Sequence, residues 1–316
     1  DRGYDIIGDV HGCAHTLERL LEQMGYRRLN GVWQHPRRQA LFLGDIIDRG
    51  PRIREALHLV RDMVEAGQAR CIMGNHEFNA ICWETPAPPG SGRSYLREHT
   101  ERHHRLIGDT LAQFDPWPQE WREFVQWFGD LPLFLDMGPF RLVHACWDSS
   151  LIEPLRQDYP DGRIDDEFLI ASAHWGSFPA QTFDRLLRGT DMRLPHGITM
   201  TGKDGFTRAF FRTKFWEEAP ETYGDVVFQP DALPEPVAEK PLTEQQKAEL
   251  MIYQPHDPLL FVGHYWQQGT PQPIRPNLAC LDYSAVKYGK LVAYRWSGET
   301  RLERDHFVWV EVPQMS

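Results

Sequence analysis

A chain of 316 residues can bury a large core in one domain or two, and its 41% hydrophobic and 25% charged content is ordinary for a globular protein. The formal net charge of -11 argues against a nucleic-acid backbone or an anionic membrane as the main partner, while leaving room for a local basic pocket around one phosphate. The five cysteines (Cys13, Cys71, Cys82, Cys146 and Cys280) are scattered, odd in number and never spaced C-x-x-C, which speaks for reduced thiols in a cytoplasmic setting and against a disulfide framework or a zinc ribbon.

No apolar run is long enough to span a bilayer, and Asp1 to Tyr4 shows no secretory signal. Tyr4 to Ile7 is a short apolar run that ends in Gly8-Asp9-Val10-His11-Gly12, and an amphipathic segment follows from Ala14 to Met24. That is strand, loop, helix, with Asp9 and His11 projecting from the loop. Ala40-Leu41-Phe42-Leu43 is a second buried strand, ending in Gly44-Asp45-Ile46-Ile47-Asp48-Arg49-Gly50-Pro51. A helix then carries Ile53, Ala56, Leu57, Val60 and Val64 on one face. The third unit is Ala69 to Met73, ending in Gly74-Asn75-His76-Glu77. Strands alternating with helices favour a largely parallel sheet, in which such ends share one edge.

Residues 84–130 read as an insertion, a Pro- and Gly-rich loop followed by polar helical sequence. His99 and His103, at i and i+4, would share a helix face, a spacing that suits a metal but more often serves packing or solvent. Trp117, Trp121, Phe124, Trp127 and Phe128 form an aromatic stripe best read as core. Phe140 to Val143 is a fourth strand, running into His144, and Leu259 to Val262 a fifth, ending in Gly263-His264. Between them, residues 149–258 form a second insertion. It holds a helix-like piece near Phe183 to Leu187 and a candidate strand, Thr207 to Lys214, bearing Arg208 and Arg212. A Pro-rich connector, Gln229 to Pro241, precedes a helix capped by Thr243 with Gln246 three residues on. Leu278 to Tyr283, Lys290 to Trp296 and His306 to Val312 read as a strand meander. The expected organisation is one domain, 1–316, with both insertions acting as a substrate-selecting cap.

The strand-end groups Asp9, His11, Asp45, Asn75, His144 and His264 are oxygen and nitrogen donors without a thiolate. They suit manganese first, with iron, zinc, nickel or cobalt as alternatives. The set is too large for one catalytic ion that keeps a position open for water, so two divalent ions sharing Asp45 is the economical solution. Such a pair holds a hydroxide between its ions and clamps phosphoryl oxygens. His76 is then placed to protonate the leaving oxygen, Asp48 to orient and charge that imidazole, and Arg49 to bind phosphate. Arg208 and Arg212 are the candidates for a second phosphate-binding arginine.

G-D-V-H-G at 8–12, G-D-I-I-D-R-G-P at 44–51, G-N-H-E at 74–77, His144 and G-H at 263–264 resemble the calcineurin-like metallophosphoesterases. Within these the likeness is to the phosphoprotein phosphatase branch and its bacterial relatives, including symmetrical diadenosine tetraphosphatases. The resemblance implies an α/β fold, a four-layer sandwich of two mixed sheets flanked by helices. It implies Asp9, His11 and Asp45 on one metal and Asp45, Asn75, His144 and His264 on the other. It also implies His76 as acid, Asp48 as its partner and Arg49 on phosphate. The eukaryotic serine/threonine phosphatase pattern has Arg before Gly-Asn-His-Glu, where this chain has Met73. Three functions follow as expectations. The first is hydrolysis of phosphate monoesters, either phosphoserine and phosphothreonine in a phosphorylated protein or small phosphorylated metabolites. The second is cleavage of a dinucleoside polyphosphate such as diadenosine tetraphosphate. The third, from another class, is a non-catalytic metal-binding scaffold.

Overall fold

The computed structural model describes residues 2–202, 205–228 and 233–313. The first unit is β1 (Gly3–Ile7), α1 (Ala14–Gln23), the hairpin β2 (Arg27–Leu29) and β3 (Val32–Gln34), β4 (Arg38–Phe42), α2 (Ile53–Glu65), β5 (Ala69–Cys71) and α3 (Asn75–Glu84). Next come α4 (Glu101–Phe114), α5 (Pro118–Gly129), β6 (Phe134–Asp136) and β7 (Phe140–Val143). Between β7 and the next core strand lie α6 (Ser149–Asp158), α7 (Asp166–Ala171), α8 (Phe178–Arg188), β8 (Thr190–Arg193), β9 (Met200–Thr201), β10 (Thr207–Arg208), β11 (Phe210–Thr213), α9 (Tyr223–Val226), α10 (Glu235–Ala238) and α11 (Glu244–Glu249). The chain closes with β12 (Leu259–Val262), β13 (Leu278–Cys280), β14 (Asp282–Tyr283), β15 (Lys290–Trp296) and β16 (Phe307–Glu311).

Two mixed sheets carry the fold. One has the order β14-β15-β1-β4-β5 with β16 on the far side of β15, and the other β13-β12-β7-β6. In the first, β1, β4 and β5 are parallel and β15 runs antiparallel to β1. In the second, β12 is parallel to both neighbours and β6 antiparallel to β7. Strand alternation sends one face of each sheet inward. Ile6, Leu41, Leu43, Ile72, Val292 and Tyr294 from the first sheet meet Phe140, Leu142, Leu259, Phe261, Ala279 and Leu281 from the second. The opposite faces, with Ile7, Phe42, Ala293, Val143, Leu260 and Val262, lie under the helices in a separate core that includes Leu17, Leu20, Leu57 and Val60. Helix, sheet, sheet, helix is the resulting layering.

One buried charge pins the first sheet from its helical side. Asp5 is fully buried and accepts from Tyr26 Oη at 2.7 Å, Arg38 Nε at 2.9 Å and Arg295 Nε at 2.9 Å. It ties the adjacent strands β4, β1 and β15 to the segment after α1.

Several local expectations need correction. The terminal strands do not form one meander: β13 joins the second sheet beside β12, and of these strands β14, β15 and β16 alone pair with one another, antiparallel, in the first. The stretch from Thr207 to Lys214 is two strands, β10 pairing β9 and β11 pairing β8. His99 precedes α4, whose N-cap is Thr100, so His99 and His103 do not share a helix face. His99 stacks between Trp83 and Tyr95, with ring centroids 3.6 and 4.0 Å away. Part of the expected connector, residues 229–232, lies outside the described residues; the rest includes the short helix α10. Thr243 and Gln246 do form a reciprocal cap on α11.

Candidate metal centre

The ends of β1, β4, β5, β7 and β12 lead into five segments that meet around the carboxylate of Asp45. His144 Nε2 lies 3.1 Å from Asp45 Oδ2, His11 Nε2 3.7 Å and His76 Nε2 3.9 Å. The outward nitrogens are held elsewhere: His11 Nδ1 is 2.8 Å from the Ile47 carbonyl and His144 Nδ1 2.8 Å from that of Leu43. An Nδ1–H donated to a carbonyl leaves the Nε2 lone pair facing inward, the tautomer a metal ligand needs. His264 stands beside this group, its ring centroid 5.5 Å from that of His144, and its backbone N–H donates to Asp9 Oδ2 at 3.3 Å.

The backbone is bent to bring these groups together. Among the described residues, His11, Asp45, Asp48, Arg49 and His264 account for five of the eight non-glycine positions with positive φ. That conformation is costly for side-chain-bearing residues, and such strain concentrates where ligands are held. Glycines allow the close approach. A Cβ on Gly263 would stand 2.1 Å from Asp9 Oδ1, and one on Gly74 2.3 Å from Asp45 Oδ1.

The donor set fits a pair of cations. Asp9, Asp45 and His144 offer atoms within 4.8 Å of one another, as do His11, Asp45 and His76. Asp9 Oδ1 and His264 Nε2 are buried and lack a hydrogen-bond partner among the described residues. One arm of the Asn75 amide lies 3.0 Å from His144 Nε2 and 3.3 and 3.1 Å from the oxygens of Asp45. With nitrogen on that arm it donates; with oxygen it joins a ring of acceptors that only positive charge can satisfy.

Electrostatics point the same way. Burial, Asp282 and Asp45 push the Asp9 carboxyl well above its ordinary range, against a lowering influence from His144. Burial works against charge on His144, yet the Asp45 carboxylate outweighs it and lifts the imidazole to about 10. Burial and then the charge of His76 push His11 down to about 3. His264 is pushed well down by burial, Arg212 and His144. A carboxyl pushed toward its neutral form at Asp9, a proton drawn onto His144 and neutral imidazoles at His11 and His264 mark crowded acid groups short of positive charge, which divalent cations would supply in place of the protons.

His76 borders the same space with its other nitrogen engaged. Its Nδ1 lies 2.7 Å from Asp48 Oδ2, and its backbone N–H donates to Asp45 Oδ1 at 3.0 Å. Burial lowers the imidazole pKa, but Asp45 and Asp48 outweigh it and the net shift is upward. Arg49 is exposed at the turn, close enough for its charge to act on both His11 and His76. Arg212 acts on His264, whereas Arg208 lies exposed on the β9–β10 ribbon.

Three supporting groups escaped the reading of the sequence. Glu77 is fully buried and accepts from the backbone N–H of Asp45 at 2.7 Å, Gly74 at 3.0 Å and Ile46 at 3.0 Å. Burial and then the Asp45 charge raise its carboxyl to about 7. A glutamate at the third position of a helix is a capping signal, so this role was open to sequence reasoning. Thr110 in α4 donates to Asp48 Oδ1 at 2.6 Å and accepts from the Asp48 N–H at 3.0 Å. Asp282 lies against Asp9. Neither carries a local motif, because each reaches the site from a distant segment.

The model of the calcineurin-like phosphoesterase family matches residues 4–194. The chain belongs to that family. It is 42% identical over 150 residues to the asymmetrical bis(5'-nucleosyl)-tetraphosphatase PrpE of Anoxybacillus flavithermus, covering 45% of this chain and 56% of that protein. With the protein of the same name from Oceanobacillus iheyensis it shares 51% identity over 73 residues, 23% of this chain and 29% of the relative. The chain therefore spans between about a third and about half the length of these relatives. Among solved structures, a protein serine/threonine phosphatase from Saccharomyces cerevisiae superposes with a TM-score of 0.52 at 14% identity, covering 100% of this chain and 81% of that one. That likeness concerns the fold, a mixed α/β sandwich. No helix among the described residues is long and apolar enough to cross a membrane.

Proposed function

We propose that this member of the phosphoesterase family is a metal-dependent phosphoric ester hydrolase. The observation that carries the reading is the convergence on Asp45: imidazoles from three segments and an amide face one buried carboxylate. In this reading Asp9, His11 and Asp45 hold one divalent ion, and Asp45, Asn75, His144 and His264 hold the second, with manganese the first choice. When bound, such ions activate water near neutral pH and draw negative charge off the phosphoryl group.

The chain's own side chains supply the rest. Arg49, exposed on the turn, offers a planar fork to two phosphate oxygens. His76 holds a proton at Nε2, kept there by the Asp48 carboxylate on Nδ1, and releases it to the leaving oxygen. Arg212 is the stronger candidate for a second phosphate contact and Arg208 the weaker. Segments 84–130 and 149–258 act as the cap that selects the substrate.

Turnover of p-nitrophenyl phosphate with added manganese tests this reading. No release above buffer would favour a non-catalytic scaffold. Two substrate classes follow, phosphate monoesters and dinucleoside polyphosphates. The names of the relatives favour the second. A side-by-side assay on a phosphopeptide and diadenosine tetraphosphate separates them.

A further inference from the structure

Beside the metal centre runs a basic groove that the roles above leave unused. Its inner part is a cavity of about 470 Å³ whose lining includes Phe78, Asn79, Arg93, Arg97 and Arg188. Its outer part, about 490 Å³, shares Phe78, Arg93 and Arg188 and reaches Trp175. Asn79 sits four residues after Asn75 on α3, so the groove begins about one helical turn, a rise of about 6 Å, from a proposed metal ligand. A chain of phosphates can make that step and a single phosphate cannot.

The three arginines are half-buried. Arg188 donates to Asn79 Oδ1 at 2.7 Å and lies 5.6 Å from the centroid of the Phe78 ring. Its guanidinium is 3.8 Å from Asp184 on its own helix. Arg93 donates to the Ala173 carbonyl at 3.0 Å, which fixes its position without neutralising it. Arg97 has no ion pair among the described residues; burial and then the Arg188 charge push its guanidinium down to about 10. Glu98 also lines the inner cavity, leaving positive charge in excess. Like charges crowded together in half-buried positions are costly unless an anion is expected. At the far end the Trp175 side chain is 99% exposed. A fully exposed indole at the mouth of a basic groove is a stacking surface for a base.

We propose that this groove binds a nucleoside polyphosphate, its distal phosphates on Arg93, Arg97 and Arg188 and its base on Trp175. The proposal rests on the hydrolase reading, which places the scissile phosphorus at the metal centre. Arg97 also feels the charge of Asp48, which puts the inner end of the groove near the His76–Asp48 pair. Bare inorganic polyphosphate shares the phosphate chemistry, and only the nucleotide uses Trp175.

Calorimetric titration of the full chain, with metals removed by chelation, tests the groove with three probes: orthophosphate, tripolyphosphate and adenosine 5'-tetraphosphate. Tripolyphosphate is expected to bind at least about tenfold more tightly than orthophosphate. Arg93→Gln and Arg188→Gln should each weaken its binding about tenfold or more, the effect of losing one charge-assisted contact. Because Arg188 also braces Asn79, Arg93→Gln provides the independent check should Arg188→Gln misfold. Trp175→Ala should weaken adenosine tetraphosphate about fivefold or more and leave tripolyphosphate unchanged. Tripolyphosphate affinity indifferent to both arginine changes overturns the phosphate subsite; equal loss or no loss for the two probes in Trp175→Ala overturns the base platform. The hydrolase reading is scored separately, by p-nitrophenyl phosphate turnover. Arginine-dependent binding without turnover sinks that reading and leaves the groove standing, and turnover without arginine dependence does the reverse.

Discussion

Asp48→Asn is the sharpest probe of the proposed proton donor. Asp48 holds His76 Nδ1 at 2.7 Å through one oxygen and receives the Thr110 hydroxyl at 2.6 Å through the other. An asparagine can keep its carbonyl toward His76, but Thr110 then meets an amide that donates, and the imidazolium loses a charged acceptor. A hydrogen bond to a charged partner contributes about 1.5–3 kcal/mol, which corresponds to about one to two pKa units. Since the Asp48 carboxylate is one of the groups raising His76, its neutralisation must lower that imidazole. A general acid works only while protonated, so activity falls as pH rises through its pKa. In Asp48→Asn this fall should come about one to two units earlier than in the parent. The assay is kcat against pH with two substrates, p-nitrophenyl phosphate and phenyl phosphate, at saturating manganese. Phenolate, the poorer leaving group, needs the proton more, so phenyl phosphate should slow far more. An unmoved alkaline limb, or equal slowing of both esters, would refute the reasoning.

Other consequences are as direct. Asp45→Asn removes the negative charge and one of the two acceptor oxygens at the point where the proposed sites meet, and should abolish binding of both manganese ions by calorimetry and nearly all turnover. Gly263→Ala puts a methyl 2.1 Å from Asp9 Oδ1 and should lower manganese affinity about tenfold or more while the urea midpoint of the metal-free chain moves little; unchanged affinity would remove Asp9 from the ligand set. His76→Ala should retain manganese, measured by elemental analysis, and slow phenyl phosphate more than p-nitrophenyl phosphate. Asp5→Ala lies away from the site; it strips Tyr26, Arg38 and Arg295 of their shared acceptor and should cost about 3 kcal/mol in urea unfolding, with Tyr26→Phe costing about 1.

What the sequence determined by itself is the list of groups and the elements that carry them. Asp9 with His11, Asp45 with Asp48 and Arg49, and Asn75 with His76 each sit where an apolar strand stops and a glycine-flanked loop begins, and both signals are local. The strands Phe140–Val143 and Leu259–Val262 were legible as short apolar stretches, the second continuous and buried on both faces and the first broken only by Arg141. Tertiary structure decided what depends on approach between distant segments. Thr110 reaches Asp48 across 62 positions, and Arg93 reaches the carbonyl of Ala173 across 80; nothing in the neighbourhood of either residue announces the contact. Local pattern likewise could not choose the sheet that β13 joins, because Leu278 and Cys280 face one core and Ala279 the other whichever strand lies alongside. Periodicity records which side of an element is apolar; only the packed chain determines what that side meets, and here it sets a row of arginines beside the proposed metal ligands.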